Sequence, residues 1–190
     1  MMKLLFLDID GVLNSAEYIQ SGISRAQREA TNIAKYGHIA QDESLGYYAA
    51  EIDPVALLRL RSIWIHHPDT KIVISSSWRI MFQPFQIKDI FEYFGWQNAP
   101  IIDKTPQLTR HHIDPTGSIP VLRGHEVKYW LDHSCEYLVS DKRTSQSSTY
   151  KYVILDDDSD FLEGQPLVQT SWQYGLQDEH VEKVCQILCK

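Results

Sequence analysis

Apolar residues in this chain gather into five short runs, at 4–7, 71–74, 100–104, 152–155 and 167–170, each bounded by polar or turn-forming residues. Runs of this length are too short for a helix, and their β-branched character predicts buried strands. Between them the spacing changes to a helical one. Asp53-Pro54 reads as an N-cap followed by proline at the first helical position. Val55, Leu57, Leu58, Leu60, Ile63 and Trp64 then form a core-facing stripe that Pro68 ends. Similar reasoning predicts helices over 84–94, stopped by Gly95, over a segment opened by Arg123 and running through Val127, Trp130 and Leu131, and over 178–188 after a turn at Tyr174-Gly175.

Strands alternating with helices imply an α/β fold: three layers, Rossmann-like, with a central and mainly parallel sheet of five strands. Two intervals stand outside that alternation. Residues 15–52 carry no strong strand signal, only a polar helical stretch at 25–36 and a small aromatic patch at 45–50. A structureless loop of that length is improbable in a compact domain, so a small cap-type insertion with its own structure is expected. Residues 105–122, with Pro106, Pro115, Gly117 and Pro120, read as a loop insertion, and 141–149, rich in Ser and Thr, as an exposed loop.

A length of 190 residues accommodates one domain, 1–190, carrying those insertions. The formal net charge of −7 argues against coating of nucleic acid by overall electrostatics, which requires a basic face. Cys135, Cys185 and Cys189 lack the spacing of a zinc site and are expected to be reduced thiols. Asp8 and Asp10 interrupt the first apolar run too early for a signal peptide, and no later run is long enough to cross a membrane. The expectation is a soluble, cytoplasmic protein with no membrane partner; the oligomeric state is not legible.

Three of the strands end in chemistry. The first runs into Asp8-Ile9-Asp10-Gly11, the second into Ser75-Ser76-Ser77-Trp78-Arg79, and the fourth into Asp156-Asp157-Asp158-Ser159-Asp160. Open parallel sheets bind ligands beyond the carboxyl ends of their strands, where the strand order reverses, so these segments should share one rim. Ionised together in a crevice, so many carboxylates would repel one another unless a cation sat among them. Hard oxygen donors without clustered His or Cys favour Mg²⁺, which completes its shell with waters and substrate phosphate. A hydroxyl from Ser75 or Ser76 and the cation of Arg123 suit the phosphate oxygens. Asp8 is then free to act as nucleophile, and Asp10 to move the proton of the leaving group.

With Leu7-Asp8-Ile9-Asp10-Gly11-Val12-Leu13-Asn14, Ile74-Ser75-Ser76-Ser77-Trp78-Arg79, Arg123-Gly124 with Trp130-Leu131, and Ile154-Leu155-Asp156-Asp157, the chain resembles the haloacid dehalogenase superfamily of aspartate-nucleophile phosphatases. More narrowly, it is similar to the haloacid dehalogenase domain of RNA-repair fusion proteins. The resemblance implies a phosphoaspartyl intermediate on Asp8 and general acid–base work by Asp10. It also implies Mg²⁺ held by the Asp8 carboxylate, the Asp10 carbonyl and an acid of the fourth strand, with Gly11, Ser75, Ser76 and Arg123 around the phosphate. Asp156 and Asp157 jointly are the preferred acids, with Asp160 bracing the loop, and Ser76 is preferred over Ser75. The superfamily usually has lysine at the Arg123 position, which makes Lys104 a rival cation.

The remaining motifs have blander readings beside the sharper ones. Trp78 and Trp130 read as core or wall residues. Arg79 is as well suited to a structural ion pair as to substrate contact. Neighbouring histidines at 66–67 and 111–112 share no ligand face. Tyr47 and Tyr48 suit base stacking or burial of the insertion against the main body. The expected activity is hydrolysis of a phosphomonoester: a small phosphorylated metabolite, a nucleotide or a nucleic-acid phosphate end. A silent binding or regulatory module and a phosphotransferase are the alternatives.

Overall fold

A computed structural model of the chain describes residues 1–39, 42–113, 116, 120–134 and 150–189. Its centre is a five-stranded, all-parallel sheet in the order β3-β2-β1-β4-β5, formed by β1 (Met2–Leu7), β2 (Thr70–Ile74), β3 (Ile101–Lys104), β4 (Tyr150–Asp156) and β5 (Leu167–Gln169). The five strands are those that the apolar runs predict. Side chains alternate across β1, so Leu5 and Leu7 join a large core with α4 (Pro54–His66), α5 (Pro84–Tyr93) and α8 (Asp178–Cys189). Leu4 and Phe6 face the other way, into a second core with Val127, Trp130 and Leu131 of α7 (Arg123–His133). Helices therefore cover both faces, as a buried parallel sheet requires.

The register decides where the polar strand ends fall. Leu7 pairs with Ile74 on one side and with Leu155 on the other. One residue further on, Ser75 N donates to Leu7 O at 2.8 Å and Asp8 N to Leu155 O at 2.9 Å. Asp8, Ser75 and Asp156 consequently lie side by side at one level of the rim. The strand order reverses between β1 and β4, so the crevice of the sheet opens beside Asp8 and Asp156.

Residues 15–52 form α1 (Ala16–Ile19), α2 (Arg25–Tyr36) and α3 (Leu45–Ala49). The aromatic patch is helical in part, which its mixed composition did not signal. The buried Arg28 ties these helices together by donating to Ala50 O, Ile23 O and Ile19 O. The excursion closes on itself at the sheet rim, where Asp53 N donates to Leu13 O at 2.7 Å. Asp53 also caps α4 by accepting from Val55 N at 2.8 Å. The sequence pattern also did not signal α1, a 3₁₀ turn at Ser77–Ile80 or α6 (Arg110–Ile113). Cys135 and the predicted loop at 141–149 lie outside the described residues. Among the described residues, no helix is long and apolar enough to cross a membrane.

The N-terminus of α7 is seated by close backbone approach. A Cβ on Gly124 would lie 2.4 Å from Leu162 N and 2.8 Å from Phe161 Cα, atoms that a side-chain rotation cannot move aside. Gly124→Ala should therefore push the helix off this loop and cost about 1–3 kcal/mol, read as a lower midpoint in thermal or urea denaturation. An unchanged midpoint would show that this contact does not hold the helix.

Candidate active site

Asp8 and Asp156 are 3% and 0% exposed, and with the half-buried Asp157 they bring one carboxylate oxygen each within 4.8 Å of one another. This is the one group of three or more metal-ligating side chains of such proximity among the described residues. Asp8 Oδ1 accepts from Ile9 N at 2.8 Å, and Asp156 Oδ1 from Asp158 N at 2.9 Å. Asp156 Oδ2 is buried without a hydrogen-bond donor. Asp157 folds over Gly11: a Cβ there would meet Asp157 Cγ at 2.2 Å, and Gly11 has φ +69°. Only glycine meets both requirements. Gly11 thus enters the site through its missing side chain, because its N–H already donates to Asn14 Oδ1 at 2.9 Å and its carbonyl accepts from Thr170.

Arg123 supplies the opposing charge. Its Nη1 is 3.4 Å from Asp8 Oδ1 and 3.6 Å from Asp156 Oδ2, and it also donates to Ser75 O. Asp160 holds the backbone of this helix start, accepting from Arg123 N at 3.1 Å through Oδ2 and from Gly124 N at 3.1 Å through its carbonyl. Lys104 points elsewhere, into the carbonyls of Arg79 and Phe82 at 2.8 and 3.1 Å. Between the two cations, the one at the acids is Arg123.

The serine turn approaches from β2. The Ser76 hydroxyl accepts from Trp78 N at 3.3 Å and lies near enough to Asp8 to favour its charged form, whereas the Ser75 hydroxyl is buried without a partner. Ser77 and Trp78 reach Asp10. Arg79 makes a buried ion pair with Glu126 of α7 and donates to Ser76 O at 2.8 Å, bracing the turn from behind. Glu126 and Asn14 were missed from sequence. The spacing Glu126 minus Arg123 is one helical turn, which places both toward the rim, but nothing local shows that Arg79 lies opposite.

Electrostatics separate the two buried acids. Burial raises the Asp8 carboxyl from 3.8 to about 6, and Arg123 and the Ser76 hydroxyl restrain that rise. Burial, then the Asp8 charge, raises Asp156 further, to about 8. Burial and Asp158 raise Asp157 as well. In the metal-free protein at neutral pH, Asp8 is thus the more readily ionised of the buried pair.

The histidine pairs do not join the site. His66 Nδ1 is 2.7 Å from Ser62 O, His67 Nδ1 is 2.9 Å from Lys3 Nζ, and His112 is engaged with Thr109. Trp130 is core, with its indole N–H on Asp103. Tyr48 packs edge-on against Trp78 and Phe82, while Tyr47 is half exposed beneath the Arg25 guanidinium at 4.0 Å.

A family model described as the HAD domain in Swiss Army Knife RNA repair proteins matches residues 4–181. The chain belongs to this family. The match runs from β1 into α8 and takes in every segment of the rim, and the all-parallel sheet is the Rossmann-like fold that the haloacid dehalogenase (HAD) resemblance implied. Membership of the HAD domain family supports a phosphatase-type role. Searches of curated proteins and of solved structures give no match.

A carboxyl whose folded pKa is raised keeps a proton that the unfolded chain loses from about pH 4 upward. The contribution of Asp8 and Asp156 to the stability of the metal-free protein therefore falls as pH rises from about 4 toward 8. Asp156→Asn should remove most of this penalty. The metal-free variant is expected to gain on the order of 2 kcal/mol at pH 8, or about 4–8 °C in Tm, and little at pH 4. Equal midpoints for variant and parent at pH 8 would contradict the account.

Proposed function

We propose that this HAD domain hydrolyses phosphomonoesters through a phosphoaspartyl intermediate on Asp8. The observation that carries the reading is the Asp8, Asp156 and Asp157 cluster with Arg123 against it: carboxylates that are costly to crowd unless cations offset them, beside a guanidinium suited to a phosphate. An Asp8 oxygen attacks phosphorus, the bond to the leaving oxygen breaks, and Asp10 gives that oxygen a proton. Asp10 then takes a proton from the water that hydrolyses the acyl phosphate, which returns Asp8 and releases inorganic phosphate. Arg123 and the Ser76 hydroxyl bind the phosphoryl oxygens, and the Ser75 hydroxyl is a further donor beside them.

The all-oxygen donor set fits Mg²⁺, and the buried Asp156 Oδ2 without a donor is an acceptor suited to a hard cation. Asp8, Asp156 and Asp157, with the Asp10 carbonyl, would hold it. When bound, it neutralises charge on the phosphoryl group and on the carboxylates.

The substrate class is a phosphorylated metabolite, a nucleotide or a nucleic-acid phosphate end. The family description, RNA repair, favours the last. The domain comprises 1–190, with the 15–52 insertion as a cap; the 105–122 insertion, whose residues 114–115 and 117–119 lie outside the described residues, carries α6. Cys185 and Cys189 are free thiols, in keeping with a cytoplasmic setting.

Asp8→Asn should reduce phosphate release from an aryl phosphate to background while the folded spectrum persists, and excess chelator should stop the parent enzyme reversibly. Full turnover by the variant would sink the nucleophile assignment, and full turnover in chelator the metal assignment. In a panel of nucleotides, sugar phosphates, phosphopeptides and 3′- or 5′-phosphorylated oligonucleotides, the RNA ends should be the best substrates. Absence of release across the panel with Mg²⁺ present would favour a silent binding module, and transfer to an acceptor other than water a phosphotransferase.

A further inference from the structure

Asp10 is held by three side chains, and their donor chemistry distinguishes its two oxygens. Oδ1 receives the Trp78 indole N–H at 3.1 Å and the Asn14 Nδ2 at 2.9 Å. Indole is a donor only. The Asn14 amide is oriented by its other end, whose Oδ1 accepts from Gly11 N at 2.9 Å, so the group facing Asp10 is the NH₂. Both lone pairs of Asp10 Oδ1 are therefore engaged by groups that donate, and a proton on that oxygen would face two more. Oδ2 meets the Ser77 hydroxyl at 2.9 Å, which can donate to a carboxylate or rotate and accept from a carboxyl.

We propose that Trp78 is a positioning residue that, with Asn14, reserves Asp10 Oδ1 as an acceptor and confines the transferable proton to Oδ2, with Ser77 as the adaptable partner of that proton. The arrangement has a direction built into it. Ser77 is exposed and Trp78 is buried, so the proton-bearing oxygen lies on the open side of the carboxyl. Trp78 itself has no freedom to swing away. It is 3% exposed and boxed by Phe82, with ring centroids 5.7 Å apart, and by Tyr48 of the 15–52 insertion at 5.9 Å in an edge-on contact. Tyr48 also packs on Phe82 at 4.7 Å. The insertion thereby forms one wall of the box that orients the acid. In the transfer step, the electron pair of the breaking P–O bond stays on the leaving oxygen, which takes the proton from Asp10 Oδ2 and leaves Asp10 as the carboxylate that the three donors stabilise.

The inference rests on Asp10 being the general acid of the proposed hydrolysis. Its test is dependence on the leaving group, because a nitrophenolate departs without a proton and an alkoxide does not. The full chain with Mg²⁺ is assayed for kcat/KM, which reports steps only through departure of the leaving group, on nitrophenyl phosphate and on an alkyl phosphate. Trp78→Phe keeps an aromatic ring in the box and removes the N–H. It should lower kcat/KM for the alkyl ester on the order of 10- to 100-fold and for the nitrophenyl ester by less than about three-fold. Ser77→Ala, at an exposed position that does not threaten folding, should show the same selective loss to a smaller degree. Equal losses on both esters in these variants, with a selective loss in Asp10→Asn, would overturn the positioning role. Equal losses in Asp10→Asn as well would overturn the general-acid reading beneath it.

Discussion

Two carboxylates, Asp8 and Asp156, end adjacent parallel strands at the same level, and the rest of the rim is arranged around their repulsion. With oxygens within 4.8 Å of one another, two unit charges interact by about 3–4 kcal/mol at an effective dielectric constant near 20. The strand register makes this contact unavoidable: once Leu7 pairs with Leu155, the next residue of each strand is an aspartate. Arg123 sits against both, and burial keeps the carboxyls above their ordinary range despite it. Arg123 alone thus leaves the repulsion between the two carboxyls only partly offset.

Holding Arg123 in that position takes a second set of contacts, which come from parts of the chain far apart in sequence. Asp160 accepts from the first N–H of α7, where the helix dipole also favours a carboxylate. Gly124 lets the helix start approach the 161–162 backbone, and Glu126, one turn on, pairs with Arg79 inside the protein. A buried ion pair is weak evidence of stability, since desolvation offsets most of its attraction. Its geometric consequence is clearer. Arg79 also grips Ser76 O, so the pair joins the serine turn to the helix that carries Arg123.

The 15–52 insertion adds a third layer of constraint. Arg28 satisfies three carbonyls within it, and its two ends meet at the Asp53 to Leu13 hydrogen bond, directly after the turn that follows Asp10. Its two adjacent tyrosines divide between two jobs. Tyr48 is built into the wall around Trp78, and Tyr47 keeps an exposed ring at the surface.

By itself, the sequence determined the elements and their order. Apolar runs of four or five residues and helical stripes are local patterns, and they predict five strands, the main helices and the parallel α/β fold, because burial on both faces demands uninterrupted apolar strands. It also marked the rim segments, since charge at the end of a core strand is costly unless it has a use. Tertiary structure decided what the side chains in those segments do. Asp157 over Gly11, Arg123 in place of Lys104 at the acids, Arg79 on Glu126, and Trp78 with Asn14 on one oxygen of Asp10 are partnerships across the chain or set by the exact course of a turn. Spacing along a chain specifies which face a residue joins, but not which distant residue the packed sheet and helices bring to meet it.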